Sequence, residues 1–253
     1  MITSPLLIDF DGVINLSGKI APDAKEFFGF LSDRKIPSLI LSNSTLKSSD
    51  DVRKFLEAND IKTNLPVITT VEASVDFLKS NYKTTSIYCS DKVKHLFSSI
   101  KDDQNPEAVL IGDLEENWTY EILNEMLVKI LNGADIIAMQ KNRYWLKDGK
   151  VLLDAGSFTA ALEYATSKKA KLIGKPSEIY FQNALVKLGF SKNEKFIMLG
   201  DDVETDILPV QKLGSKSILI YTGKTKYPSR DENLKSDFEA MNLIDVIRIL
   251  SEL

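Results

Sequence analysis

The sequence predicts an α/β protein: a Rossmann-like parallel sheet wrapped by helices, with a smaller α/β cap domain inserted into it. Two observations favour the sheet, since short apolar runs alternate with helical patterns and polar residues cluster where the apolar runs end. Ligands bind at the carboxyl ends of the strands in such sheets. A third observation predicts the insertion, because a hairpin pattern over residues 143–153 interrupts the alternation.

The composition is that of an ordinary globular protein and argues against several classes. The chain has 253 residues, enough for one or two domains, of which 43% are hydrophobic and 27% charged. A net charge of −4 without a basic run argues against a nucleic-acid partner. No stretch approaches the roughly 18 apolar residues of a membrane span, and residues 1–4 lack the features of a signal peptide. We therefore expect a cytoplasmic protein that binds neither nucleic acid nor membranes.

The chain has one cysteine, Cys89, and one histidine, His95. A single cysteine excludes an internal disulfide framework and a cysteine-rich zinc site, and a single histidine excludes histidine-cluster metal sites. A Ser-His-Asp hydrolase is disfavoured as well, because His95 would have to supply its base. We expect His95 on the surface of a helix and Cys89 in the core.

The first part of the chain alternates strands and helices. Apolar strands are predicted at 5–8, 38–41 and 67–68, a turn at 15–19, and helices at about 22–31, 45–56 and 75–78. Each of the first two strands ends in polar residues: Asp9 and Asp11 follow one, and Ser42 and Asn43 follow the other. Because these are carboxyl ends of neighbouring elements, we expect them to face the same ligand.

The middle of the chain continues the alternation until the hairpin. Strands are predicted at 86–88, 108–111 and 136–138, with helices at 93–97 and 119–131 between them. The hairpin has Asp148-Gly149 as its turn between 143–146 and 151–153. We place the domain boundaries near residues 80 and 171, which gives a core of 1–80 and 171–253 and a cap of 81–170.

The last third returns to the opening pattern. Predicted elements are a strand at 171–173, a helix at 177–188, strands at 196–199 and 217–220, and a closing helix at 238–253. The strand that ends at Leu199 is followed by an acid-rich turn containing Asp201, Asp202 and Asp206.

Asp9 and Asp11 are the pair around which the chain is organised. Side chains alternate along a strand, so two aspartates one residue apart point the same way, and Gly12 lets the chain turn away after them. Burying two carboxylates is costly unless something binds them, and a divalent cation with oxygen ligands fits. Taken alone, this pattern is equally typical of a solvated turn.

Four motifs in order resemble those of the haloacid dehalogenase (HAD) superfamily of phosphohydrolases. They are Asp9-Phe10-Asp11-Gly12-Val13, Ser42-Asn43, Lys175, and Gly200-Asp201-Asp202 through Asp206. The long insertion between the second and third motifs resembles the C2-type cap of subfamily IIA, the NagD-like phosphatases. Further segments resemble the phospholysine phosphohistidine inorganic pyrophosphate phosphatase branch: 141–145, 153–156, 161–165 and 174–177.

The resemblance implies a Mg²⁺-dependent phosphatase that forms an aspartyl-phosphate on Asp9. Mg²⁺ would be held by Asp9, by the backbone carbonyl of Asp11 and by Asp201, and it would offset the charge between a carboxylate and a phosphate. Asp11 would protonate the leaving oxygen and later activate water. Dehalogenases of the superfamily lack this second acid, so its presence favours phosphoryl chemistry.

Five other residues complete the predicted site. The Ser42 hydroxyl and the Asn43 backbone amide would bind phosphate oxygens, although Ser42 to Thr45 could instead only cap the following helix. Lys175 would lie beside Asp9 and the phosphate. Asp202 and Asp206 would lie behind the metal ligands and orient Lys175 or metal-bound water.

Several alternatives stay open at this stage. Trp118, Tyr144 and Trp145 either line a substrate pocket of the cap or pack in its interior, and 154–157 is a candidate for substrate selection. The substrate is a small phosphorylated compound, and a sugar-phosphate or nucleotide phosphatase is the alternative to one that cleaves phosphoamide or pyrophosphate bonds. Homodimerisation through the cap is left open. A receiver-like signalling module is disfavoured, because such domains have about half this length and no cap.

Overall fold

The computed structural model describes residues 4–147, 150–228 and 236–253. It divides the chain into two compact units. The first consists of Met1–Ser42, Ser49–Ile68 and Lys175–Leu253, and the second of Asn43–Ser48 and Thr69–Gly174. The first unit contains a six-stranded parallel sheet and the second a four-stranded parallel sheet, which confirms the predicted α/β fold.

The elements follow one another in nearly strict alternation. The first part of the chain contains β1 (Leu6–Ile8), β2 (Asn15–Leu16), β3 (Lys19–Ile20), α1 (Ala24–Asp33), β4 (Ser38–Ser42), α2 (Ser49–Ala58) and β5 (Val67–Thr69). The middle contains α3 (Thr70–Asn81), β6 (Thr85–Tyr88), α4 (Asp91–Lys94), β7 (Ala108–Ile111), α5 (Tyr120–Leu131), β8 (Asp135–Ala138), β9 (Tyr144–Lys147), β10 (Lys150–Leu153), α6 (Ala155–Thr166) and β11 (Lys171–Leu172). The last part contains α7 (Glu178–Lys187), β12 (Ile197–Gly200), α8 (Leu208–Lys212), β13 (Lys216–Ile220), β14 (Phe238–Ala240) and α9 (Leu243–Glu252).

The sheet of the first unit places β1 at its centre. Its strand order is β14-β13-β12-β1-β4-β5, and Ile8 pairs with Leu199 on one side and with Ile40 on the other. The strands β1, β4 and β12 are completely buried, as expected of a parallel sheet covered by helices. Their carboxyl ends therefore meet at one edge, where Asp9, Ser42 and Asp201 follow or end the strands.

One face of this sheet is covered by α1, α2 and α9. Their apolar residues form one core with the strands: Phe27, Phe28, Leu31, Val52, Leu56, Leu243, Val246 and Leu250. The spacing of the first five matches the helical periodicity predicted from the sequence. The β2–β3 hairpin, at the position predicted as a turn, brings Leu16 and Ile20 against the same core.

The second unit is built on the sheet order β11-β8-β7-β6. Helix α3 packs Val71, Val75 and Leu78 into its core, and β11 pairs with β8 through Leu172 and Ala138. Both elements were expected with the core domain, since the predicted cap covered only 81–170. Helix α3 instead buries its apolar residues in the second unit and β11 pairs with a strand of that unit, so the unit extends beyond the predicted range at both ends.

Two local predictions have different outcomes. The predicted hairpin is present as β9 and β10, paired antiparallel with Tyr144 opposite Leu153, while its Asp148-Gly149 turn lies outside the described residues. The closing helix predicted from 238 is wrong in its first residues, because Phe238–Ala240 pair in parallel with β13. Helix α9 begins only after Asn242, whose side chain accepts a hydrogen bond from the Asp245 amide.

Among the described residues, no helix is long and apolar enough to cross a membrane.

We expect Leu110→Ala to lower the free energy of unfolding by about 2–5 kcal/mol, because Leu110 is completely buried in the core of the second unit. The matched control is Leu153→Ala in the same unit, where the leucine is 64% exposed and the expected change is within about 0.5 kcal/mol. Urea denaturation of both variants measures the difference. Equal losses would contradict the assigned burial.

Candidate active site

Three carboxylates and one ammonium group are buried together at the carboxyl edge of the first unit's sheet. Asp9 follows β1, Asp201 follows β12, and Asp206 lies in the helical turn after it. One carboxylate oxygen from each of the three lies within 4.8 Å of the others. Hard oxygen donors at this spacing fit a divalent cation such as Mg²⁺. The three aspartates therefore form a candidate metal site.

Lys175 is the cation of this cluster and is almost completely buried. Its Nζ lies 2.7 Å from Asp9 Oδ1 and 2.7 Å from Asp206 Oδ1, with only 1% of the side chain exposed. A buried ammonium group is tolerable only when paired in this way. The sequence predicted Lys175 beside Asp9, and it predicted that Asp206 orients Lys175 or metal-bound water. The structure brings these three side chains together.

The pKa values of the three acids are raised by their burial and by their negative neighbours. Burial raises the pKa of Asp9 to about 7, although the charge of Lys175 lowers it. The pKa of Asp206 is also raised to about 7 by burial, against the same opposing effect of Lys175. Burial and the neighbouring Asp206 raise the pKa of Asp201 to about 6. Burial opposes the charge on Lys175, but Asp206 and Asp9 raise its pKa above the ordinary value. A bound cation would relieve this repulsion.

Asp201 is held by a loop that the sequence analysis missed. The Lys224 amide donates to Asp201 Oδ2, and the Thr225 amide donates to the Asp201 carbonyl. A Cβ added at Gly223 would collide with the Asp201 carboxylate, so glycine is required there. The signal was available, because Thr222-Gly223-Lys224 directly follows β13 and therefore belongs to the same edge as the other motifs.

Asp202 differs from its acidic neighbours in having its own cation. Lys224 Nζ lies 2.6 Å from Asp202 Oδ2, and the Asp202 amide donates to Asp206 Oδ2 at 3.2 Å. The Asp202 side chain also accepts from the Glu204 amide. These contacts hold Asp202 beside the carboxylate cluster, and its predicted role in orienting Lys175 or water stays a prediction.

Asp11 is exposed, unlike Asp9. Its Oδ1 accepts a hydrogen bond of 2.6 Å from Asn15 Nδ2, a residue that the sequence analysis placed in a turn without assigning it a role. A Cβ added at Gly12, which has φ of +93°, would collide with the Asp201 carboxylate. The turn after Asp11 thus depends on glycine, as predicted.

The predicted phosphate-binding pair falls at the end of β4. Ser42 is completely buried, and its carbonyl accepts a hydrogen bond of 2.7 Å from the Tyr180 hydroxyl. Asn43 is grouped with the second unit, in which Thr70 Oγ1 donates to the Ser44 carbonyl at 2.7 Å. Phosphate binding by Ser42 and Asn43 stays a prediction.

The residues considered for substrate selection lie in the second unit. Asp154 caps α6 by accepting from the Ala155 amide, and it also accepts from Gln140 Nε2. Burial and the nearby Asp113 raise its pKa. Trp118 stacks on Phe158 with ring centroids 4.1 Å apart, which favours the packing alternative for this tryptophan.

Fold and site together define a class of protein, the α/β enzymes with an acid cluster suited to a cation at the carboxyl edge of a parallel sheet. Comparison with known proteins identifies the family. Residues 6–100 match the haloacid dehalogenase-like hydrolase model, and residues 172–246 match a second, HAD-hydrolase-like model. The haloacid dehalogenase-like hydrolase domain-containing protein 2 of Bos taurus is 30% identical over 229 residues, covering 90% of this chain and 87% of that protein. The chain therefore belongs to the haloacid dehalogenase-like hydrolases.

Two further similarities agree with the predicted subfamily. The phospholysine phosphohistidine inorganic pyrophosphate phosphatase of Homo sapiens is 31% identical over 182 residues, covering 70% of this chain and 66% of that protein. The solved structure of NagD from Escherichia coli K-12 has the same fold, with a TM-score of 0.83 at 21% identity, covering 96% of this chain and 98% of that one. The predicted resemblance to NagD-like hydrolases is confirmed.

We expect Mg²⁺ to raise the melting temperature more at about pH 8 than at about pH 5.5. Acids whose pKa values are raised in the folded state stabilise the metal-free fold at low pH, because the folded state binds their protons more tightly. This contribution is fully present below their ordinary pKa, and it is lost as pH rises through 6 to 7. The ionised carboxylates then bind Mg²⁺. A Mg²⁺ concentration of 100 times Kd adds about 2.7 kcal/mol to the free energy of unfolding, which raises the melting temperature by several degrees.

Differential scanning fluorimetry with and without Mg²⁺ at both pH values measures this difference. Asp201→Asn should lose most of the shift at about pH 8, whereas Asp103→Asn, at an aspartate in the second unit, should keep it. A wild-type shift that is the same at both pH values would contradict the assignment.

Proposed function

We propose that this protein is a Mg²⁺-dependent phosphatase that releases phosphate from a small phosphorylated substrate through an aspartyl-phosphate on Asp9. The observation that carries the proposal is the buried cluster in which Lys175 bridges Asp9 and Asp206 beside Asp201. Phosphoryl transfer needs positioned positive charge and a poised nucleophile, and this cluster supplies both.

The metal would be held by Asp9, by the backbone carbonyl of Asp11 and by Asp201. The close spacing of the Asp9, Asp201 and Asp206 carboxylates supports a cation here, and all of the donors are oxygens, which favours Mg²⁺. When bound, the ion supplies positive charge that lets one anion approach another. Asp206 and Asp202 would orient Lys175 and water from behind these ligands.

In the first step, one oxygen of Asp9 attacks phosphorus while the bond from phosphorus to the leaving oxygen breaks. Phe10 N and Lys175 Nζ both approach Asp9 Oδ1, at 2.7 Å each. We therefore assign the attack to Oδ2, with Oδ1 held by these donors. For a phosphate ester, Asp11 gives its proton to the leaving oxygen, so an alcohol departs and Asp11 becomes a carboxylate; for a phosphoamide, the leaving nitrogen takes the proton.

In the second step, Asp11 takes a proton from water, whose oxygen attacks phosphorus and breaks the bond to Asp9. Inorganic phosphate leaves, and both aspartates return to their starting states. The Ser42 hydroxyl, the Asn43 amide and Lys175 would bind the phosphate oxygens in both steps, because each offers a donor and Lys175 also offers charge.

The similarity to a named phosphatase supports one choice of substrate. The phosphatase of Homo sapiens that is 31% identical is named for phospholysine, phosphohistidine and inorganic pyrophosphate, which supports phosphoamides and pyrophosphate as candidate substrates. The alternative is a sugar-phosphate or nucleotide phosphatase. Asp154 and its neighbours in the second unit are the candidates for making this choice.

A panel of substrates tests the proposal. Purified protein with Mg²⁺ is assayed for phosphate release from p-nitrophenyl phosphate, sugar phosphates, nucleotides, a phosphoamide and pyrophosphate. We expect Mg²⁺-dependent turnover that a chelator abolishes. Phosphate bound without turnover would instead identify a non-enzymatic phosphate-binding module.

Separate substitutions of the two leading aspartates test their roles. Asp9→Asn removes the nucleophile, so no leaving group restores activity. Asp11→Asn removes an acid and base whose contribution is typically about 100- to 10,000-fold, but p-nitrophenolate departs without protonation. This variant should release about one equivalent of nitrophenolate and then stall as the aspartyl-phosphate, which intact-mass spectrometry detects.

The matched control for both variants is Asp60→Asn, at an exposed aspartate that pairs with Lys25 in the same unit. It should turn over like the wild type. Steady turnover by the Asp9 variant, or a folded Asp11 variant with neither burst nor phosphorylated protein, would require the roles to be reassigned.

A further inference from the structure

We propose that Asn15 is the positioning residue for Asp11 and fixes which oxygen of this carboxyl group carries the transferred proton. This inference rests on the proposed function, in which Asp11 is the acid and base. Asn15 Nδ2 lies 2.6 Å from Asp11 Oδ1, and only 6% of Asn15 is exposed, although Asp11 itself is exposed. A buried amide thus holds an exposed carboxyl group.

The polar groups of Asn15 fix it in place. Its backbone amide donates to the Phe10 carbonyl at 2.8 Å, and its carbonyl accepts from the Gly12 amide at 2.9 Å. Its side-chain Oδ1 accepts from the Gly18 amide at 2.8 Å. Asn15 therefore holds the backbone on both sides of Asp11, at Phe10 and at Gly12.

The contact with Gly18 also fixes the orientation of the side-chain amide. A backbone N–H can only donate, so the oxygen of the Asn15 amide must face Gly18 and its nitrogen must face Asp11. Asp11 Oδ1 is then an acceptor in both protonation states. The proton that Asp11 gives to the leaving oxygen, and later takes from water, is therefore carried on Oδ2.

A neutral donor suits this task better than a charged one. Asp11 must be protonated before the first step and ionised before the second, so a residue that holds it must tolerate both states. The Asn15 side chain is a neutral amide that donates to Oδ1, so it orients the carboxyl group without placing a further charge beside it.

Asn15→Asp removes the donor to Asp11 and leaves an oxygen that still accepts from Gly18. The measured quantity is kcat/KM with Mg²⁺ for ethyl phosphate, whose leaving group needs a proton, and for p-nitrophenyl phosphate, whose leaving group does not. We expect the ratio of p-nitrophenyl phosphate to ethyl phosphate to rise by about 10- to 100-fold, part of the usual acid contribution. A purely structural role would lower both values by the same factor.

The matched control is Asn59→Asp, which removes an amide donor of similar length, 2.8 Å to the Phe55 carbonyl, in the same unit. It should keep the wild-type ratio. If Asn15→Asp does not fold, Asn15→Ser replaces it, since a serine hydroxyl is neutral and too short to reach Asp11; the same rise is expected.

The outcomes separate this inference from the function on which it depends. An active wild type whose folded Asn15 variants keep the wild-type ratio would overturn the role of Asn15 alone. A wild type that hydrolyses no phosphate compound would overturn the proposed function and the role of Asn15 with it.

Discussion

The ion pairs of Lys175 are the interaction on which the rest of the active edge depends. One buried ammonium group lies 2.7 Å from each of two buried carboxylates, while a third, that of Asp201, is within the same cluster. Burial raises the pKa values of all three acids, and repulsion among neighbouring carboxylates raises them further, because one positive charge cannot offset three negative ones. A divalent cation can relieve this repulsion. The fold therefore gives up local stability at an edge that is suited to a cation.

The sheet makes this concentration of charge possible. Adjacent parallel strands pair Ile8 with Leu199, so Asp9, one residue further on, and Asp201, two residues further on, emerge at the same edge. Two glycines, Gly12 and Gly223, let two further loops approach the Asp201 carboxylate where any Cβ would collide with it. Apolar burial of the strands holds the backbone in place, and this rigidity lets the acids stay close despite their repulsion.

The two leading aspartates have different surroundings, which suit the two roles proposed for them. Asp9 is buried and held at Oδ1 by Phe10 N and Lys175, and a fixed carboxylate suits the proposed nucleophile. Asp11 is exposed and accepts a hydrogen bond from Asn15, and an accessible carboxyl group suits the proposed acid and base. Two aspartates one residue apart thus differ in how rigidly they are held and in how accessible they are.

The sequence by itself determined the fold class, the family and the members of the acid cluster. Strand patterns and the motifs at strand ends are local, so each can be recognised from a few consecutive residues. Only the tertiary structure decided which distant segments pair with one another. The chain from 238 to 240 became an edge strand through its pairing with β13. Helix α3 joined the second unit through burial of its apolar residues, and β11 joined it through pairing with β8. Likewise, Lys224 meets Asp202 and Asp201 only because β13 lies next to β12 in the sheet. Contacts of this kind leave no periodic signal along the chain, since they are set by strand order and by backbone direction at the end of each strand.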